Sequence, residues 1–181
     1  MTRIAPIDPT TATGPAAEHL ATTRAMFGGT PNLFTTAANA PAVLGAMNAM
    51  FANVGKSSLG PRIGEQIAIA VAQSNGCAYC LSAHHAIGRM HKLDDAALAD
   101  AQQGRSGDAR TQALLNLALA INETRGHVTD AALASARLAG ISDAEILEVV
   151  AHVALNVFTN YLNNVARTTL DFPVVALAAA A

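Results

Sequence analysis

The sequence predicts an all-α protein, a multi-helix bundle in which a helical hairpin carries a Cys-x-x-Cys pair at a helix N-terminus. Three observations predict it. No segment alternates apolar and polar residues for long enough to make a strand. Apolar residues recur instead at helical spacing through alanine-rich runs. Gly, Pro, Asp, Ser and Thr punctuate those runs where helices start and stop.

In order, residues 1–14 read as an extended lead-in. A helix over Ala16–Phe27 ends at Gly28-Gly29, and Pro31 opens a short Asn-Leu-Phe segment. Pro41–Val54 repeats Val43, Leu44, Met47, Met50 and Phe51 at helical spacing and stops at Gly55. The next helix begins near Pro61, a favoured first-turn residue. Its apolar stripe is Ile63, Ile67, Ala70 and Val71, and Asn75-Gly76 closes it with a left-handed cap. A new helix starts at the cysteines and runs to about Met90. Asp94 caps another, and Asp108 enters a long one bearing Leu114, Leu115, Leu117, Ala118 and Ile121. Thr129 caps a helix through Leu138, which Gly140 closes. Ser142-Asp143-Ala144-Glu145 is a capping box that starts the longest helix, reaching roughly Thr168 before Asp171-Phe172-Pro173. The gaps are short and no linker or repeat interrupts them, so residues 1–181 read as one domain.

A chain of 181 residues buries roughly 70% of its unfolded surface and needs no staple to fold. Apolar residues make up 51% and charged ones 13%. A surface so thin in charge favours a homo-oligomer. The net charge is −2 and no run of Lys or Arg exceeds two, which argues against a nucleic-acid partner. The proline-broken start has no apolar signal segment, and the longest alanine-valine run, Val174–Ala181, is a short tail. No membrane association and a cytoplasmic location are expected. In that reducing compartment two cysteines three apart point to redox or metal chemistry.

The chemistry concentrates in Pro61–His91. Cys77 and Cys80 share a helix face and follow the Asn75-Gly76 break directly. Unpaired N–H groups and the helix dipole there favour a thiolate. His84 lies one turn beyond Cys80, placed to take a proton from its thiol. Glu65 stands on the preceding helix, where a hairpin brings a carboxylate to that imidazole, the logic of a base oriented by a third group. Zinc is the alternative, with Cys77, Cys80 and His84 as ligands and Glu65, His85 or His91 as the fourth. Against it, no second Cys-x-x-Cys or His-x-x-x-His exists, so no metal ligand is assigned. Nor does any motif ask for a cofactor. His85 points about 100° away from His84 and reads as structural or interfacial, and His91 as a helix-terminal charge partner.

Glu65, eleven residues, Cys77-x-x-Cys80, three residues and His84 together resemble the signature of the alkylhydroperoxidase D-like branch of the carboxymuconolactone decarboxylase superfamily. The close resemblance covers about Leu59 to Met90, with a looser one from Pro41 to Glu123. Leu155–Pro173 is similar to the tail of uncharacterised peroxidase-related members. The resemblance implies an all-helical fold assembling as trimers or hexamers. It implies Cys80 as the peroxidatic cysteine, Cys77 as the resolving one, and His84 with Glu65 as the relay. It further implies a small hydroperoxide substrate and a thioredoxin-like or lipoyl-type dithiol reductant. One position departs: Tyr79 stands where relatives often carry a second histidine, and tyrosine is a poor base near neutral pH. Two other readings of the pocket stay open, a non-redox lyase or hydrolase with His84 as base, and a zinc-bound stress-response module without turnover.

On the last helix His152, Asn156, Asn160, Asn163 and Arg167 share a face with Glu145 and Glu148. The expectation is a solvated face. Four asparagines within nine residues, at 156, 160, 163 and 164, carry a cost in helix propensity that hints at buried hydrogen bonds.

Overall fold

The computed structural model describes residues 1–179. Among them the chain forms nine helices and no strand. These are α1 (Gly14–Phe27), α2 (Asn32–Ala37), α3 (Pro41–Val54), α4 (Gly60–Ser74), α5 (Ala78–Met90), α6 (Asp95–Gln102), α7 (Ala109–Thr124), α8 (Asp130–Leu138) and α9 (Asp143–Ala166).

The predicted one-sided stripe on α4 is too narrow. Gln66, Ile67, Ala68, Ile69, Ala70, Val71 and Ala72 are all buried, whereas Ile63 is only half-buried. A helix covered on every side is a central one, and α4 touches α5, α6, α7 and α9. It stands as a wall between two cores. Ile69 and Ala72 belong to one core with Leu81 of α5 and Leu98 of α6, which extends to Leu44 and Met47 of α3. Ile67, Ala70 and Val71 face Leu114, Leu115 and Ala118 of α7 and Val149 of α9. Each buried Leu or Ile contributes about 1.5–3 kcal/mol, so the centre of α4 is held firmly.

Small residues set how closely the neighbours approach. A Cβ on Gly64 would fall 2.9 Å from Cε1 of His152, and one on Gly88 2.8 Å from Cδ2 of Leu98. Only glycine lets α9 and α6 pack this near to α4 and α5.

The predicted caps form. Asp94 accepts from Ala97 N, Asp108 from Thr111 N and Thr129 from Ala132 N, and Ser142 with Glu145 makes a reciprocal box. The lead-in is docked, Arg3 N donating to Ala166 O and Ile7 N to Thr35 O. The tail is more than a loose end. After α9 it crosses α5, α4 and α6, with Val175 N on Ser82 Oγ, Ala178 N on Gln73 Oε1 and Gln102 Nε2 on Ala176 O. The last two positions of the predicted tail, 180 and 181, lie outside the described residues. No helix among those described is long and apolar enough to cross a membrane.

Candidate active site

The site is built on a single turn. Gly76 adopts φ +63°, the left-handed conformation that glycine takes without strain. Gly76 N donates to Gln73 O and Cys77 N to Ala72 O, which are the two bonds of a Schellman ending. Cys77 is at once the residue that closes α4 and the N-cap of α5. Its backbone therefore has no freedom to drift.

Three asparagines pin that turn from outside. Asn160 Oδ1 accepts from Asn75 Nδ2 at 3.0 Å, Asn122 Nδ2 donates to Asn75 Oδ1 at 3.0 Å, and Asn164 Nδ2 donates to Asn75 O at 3.1 Å. The propensity cost on α9 is offset by holding the place where the cysteines begin.

Cys77 and Cys80 are joined as a disulfide, their Cα atoms 5.3 Å apart. Cys77 is 0% and Cys80 3% exposed. Cys80 N donates to Cys77 Sγ at 3.2 Å, so the N-cap side chain is a sulfur where Ser or Asp usually sits. That N–H and the positive end of the α5 dipole both point at the Cys77 sulfur.

His84 Nδ1 lies 2.8 Å from Glu65 Oε2, with the two side chains 15% and 16% exposed. The carboxylate fixes the ring with Nδ1 turned to it, leaving Nε2 for proton traffic. Cys80 and His84 both line a cleft of about 60 Å³; Cys77 does not. Four of the five phenylalanines and one of the two tyrosines of the chain line it too: Phe27, Phe34, Phe51, Phe172 and Tyr79. Phe172 comes from the tail and meets Tyr79 edge-on at 5.7 Å between ring centroids. A larger groove of about 610 Å³ runs past Leu59, Arg62, Gln66 and Ala97. It holds neither sulfur nor imidazole.

Other predicted residues stand apart. His85 is buried, Nε2 finds no partner among the described residues, and burial pushes its imidazole below the usual value, helped by the Arg89 charge. His91 ends α5, but the ion pair there belongs to Arg89 and Asp95, at 2.9 Å. Tyr79 is a structural acceptor rather than a base. Its hydroxyl takes the Leu33 N–H at 3.1 Å, and burial pushes its ionisation far above the ordinary tyrosine range. Among the described residues no three His, Cys, Asp or Glu side chains gather as a metal site.

The solvated face expected on α9 is overturned. His152, Asn156, Asn160 and Asn163 are buried, and only Arg167 is fully outside. α9 packs this face on α4 and α5, so its polar groups pair inward. His152 Nε2 lies 2.9 Å from Ser57 Oγ, and burial pushes its imidazole down against the opposing pull of Glu148. Glu148 accepts from Ser58 N and Oγ, and Glu145 pairs with Arg110. The residue that the motif does not contain is Asn163, whose Nδ2 lies 3.2 Å from Cys80 Sγ. The run of helix-averse asparagines was its only trace in the sequence.

Residues 41–103 match the model of the carboxymuconolactone decarboxylase family. None of the curated proteins matches the chain. Among solved structures it is similar to an uncharacterised peroxidase-related protein with an alkylhydroperoxidase AhpD core from Ralstonia eutropha JMP134. That pair is 21% identical with a TM-score of 0.83, covering 94% of this chain and 92% of the other. A peroxidase-related protein from Silicibacter sp. TM1040 is 22% identical with a TM-score of 0.77, covering 92% and 91%. The debrominase Bmp8 shares the fold at 18% identity and a TM-score of 0.79, covering 94% and 93%.

Proposed function

We propose, from the match of residues 41–103 to the carboxymuconolactone decarboxylase family and the fold shared with an AhpD-core protein, that the chain is a dithiol oxidoreductase that reduces small organic hydroperoxides. The observation that carries this reading is the shared cleft. Cys80 opens onto it beside an imidazole whose other nitrogen is held by a carboxylate.

The reduced Cys80 gives its proton to His84 and attacks the distal oxygen of the hydroperoxide. An S–O bond forms as the O–O bond breaks. The departing alkoxide recovers the proton from His84 and leaves as the alcohol, so Cys80 becomes a sulfenic acid. Cys77 then attacks the Cys80 sulfur. The S–S bond forms, and the hydroxide leaves as water with the Cys77 proton. A dithiol reductant of thioredoxin or lipoyl type restores the pair by exchange, taking the disulfide in its place. Cys80 is the sulfur that faces the cleft, so the reductant attacks there and Cys77 leaves as a thiolate stabilised at its N-cap. The apolar lining and the small volume suit the head of an alkyl or aryl hydroperoxide.

The aromatic lining favours one second reading. The same dithiol would reduce an apolar aryl halide to the arene, with halide and a proton released and the disulfide formed. A debrominase has this fold.

The test is to count free thiols in reduced protein before and after one equivalent of cumene hydroperoxide. Both cysteines should be lost with one equivalent of alcohol formed. Cys77→Ser should stop at a dimedone-trappable sulfenic acid, and Cys80→Ser should react with nothing. Two thiols surviving the peroxide would end the peroxidase reading, and their loss to a bromopyrrole instead would install the second.

A further inference from the structure

Asn163 is 3% exposed and sits on α9, opposite the first turn of α5. Its Nδ2 is 3.2 Å from Cys80 Sγ, and its Oδ1 is buried with no partner among the described residues. Both facts cost stability. Asparagine is a poor residue for a helix interior, and a buried amide oxygen left unpaired is destabilising. In the disulfide state, moreover, the amide N–H meets a sulfur that is only a weak acceptor. The arrangement makes sense when the sulfur changes. Against a thiolate the same N–H makes a charge-assisted bond, roughly twice as strong as a neutral one. The reverse amide orientation would set Oδ1 against the sulfur lone pairs. With Nδ2 on the sulfur, Oδ1 of the same planar group is left for a hydrogen on an oxygen bonded to, or approaching, that sulfur.

We propose that Asn163 is a catalytic residue of the dithiol site, its Nδ2–H holding the Cys80 thiolate and its Oδ1 accepting the O–H of the incoming hydroperoxide and then of the sulfenic acid. The first half needs only a Cys80 thiolate; the second rests on the peroxidase reading. The disulfide sulfur is only a weak acceptor for the first bond and carries no O–H for the second, so both favour the states through which the reaction passes.

The experiment uses reduced Cys77→Ser protein, so that Cys80 is the one thiol. Its iodoacetamide alkylation rate is followed against pH with Asn163 intact, as Asn163→Ala and as the bulkier Asn163→Leu, which keeps the space filled if alanine does not fold. The alkylation midpoint should rise by about one pH unit in either variant, a tenfold loss of thiolate at any pH below both midpoints. A residue that merely packs would lower the melting temperature and leave the midpoint alone. An unchanged midpoint in the folded variant therefore overturns the first half. Well above the midpoint, where every variant is thiolate, thiol loss to cumene hydroperoxide should still fall about tenfold in Asn163→Leu. Equal rates there remove the Oδ1 half. Alkylation needs no peroxide, so a wild-type protein that turns over no hydroperoxide defeats the proposed function while the midpoint shift still decides the thiolate contact.

Discussion

His84 Nδ1 and Glu65 Oε2 meet at 2.8 Å although the residues lie 19 apart. The contact exists because α4 turns back through Gly76 into α5, which sets the two helices side by side. A carboxylate in that position keeps the proton on Nδ1 and leaves the other ring nitrogen free to receive one. An amide cannot do the same, since it can also turn its NH₂ to the ring and impose the opposite tautomer.

Glu65→Gln should therefore reduce hydroperoxide turnover by about 100-fold, the usual scale of a general base put in the wrong protonation state. Steady-state rates with a dithiol reductant measure it, alongside circular dichroism to show the fold is kept. Turnover within twofold of wild type would take Glu65 out of the relay.

Tyr79→Phe should act on stability instead. The Leu33 N–H loses the hydroxyl it donates to at 3.1 Å, inside a buried region. An orphaned buried donor costs about 1–3 kcal/mol, which urea denaturation would register as a lower midpoint at unchanged slope. The shape of the pH–rate profile should not move, because a phenol whose ionisation burial has pushed so high exchanges no proton near neutrality. A displaced profile would return Tyr79 to the chemistry.

The helical class, the caps at Asp94, Asp108, Thr129 and Ser142, and the Asn75-Gly76 ending were legible because each is local. A side-chain oxygen reaches an N–H three residues on, and a glycine closes a helix, whatever surrounds them. The meeting of Glu65 with His84 was legible for a related reason, being a contact across one hairpin. What depended on distant packing was not. The stripe on α4 looked one-sided because alanines at 68 and 72 carry little apolar weight, yet they are buried by α helices far off in sequence. Likewise Asn156, Asn160 and Asn163 of α9 read as a wet face until α4 and α5 cover them. Asn163 reaches its sulfur over a separation of 83 residues, which no spacing rule spans.

His85 and His152 predict a pH dependence of stability. Burial holds both imidazoles below their ordinary value of 6.5 in the folded protein. The unfolded chain therefore binds more protons in that range, and stability rises with pH through it. Their contribution is complete above about pH 6.5 and is lost as pH falls toward the folded values. Glu145 and Glu148, held below 4.5 by N–H bonds from Ser142 and Ser58, act in a more acid window. The melting temperature should fall between pH 7.5 and 5.5, and less so in a His85→Leu, His152→Gln double variant. Equal slopes would show that these two groups are not the source.

The approach of α9 to α4 can be tested at Gly64. An added Cβ would stand 2.9 Å from Cε1 of His152, nearer than such atoms pack, and the ring is tied to Ser57 at 2.9 Å. Gly64→Ala gains helix propensity of about 1 kcal/mol but must push the ring or the helix away, and overpacking of this kind costs about 1–3 kcal/mol. The net result should be a less stable protein despite the better helix former. Removing the obstacle reverses the sign: in a His152→Ala background the same Gly64→Ala change should stabilise, because only the propensity remains. A double-mutant cycle on urea midpoints reads the coupling directly. If Gly64→Ala has the same effect with and without the imidazole, the ring does not set the spacing of the two helices.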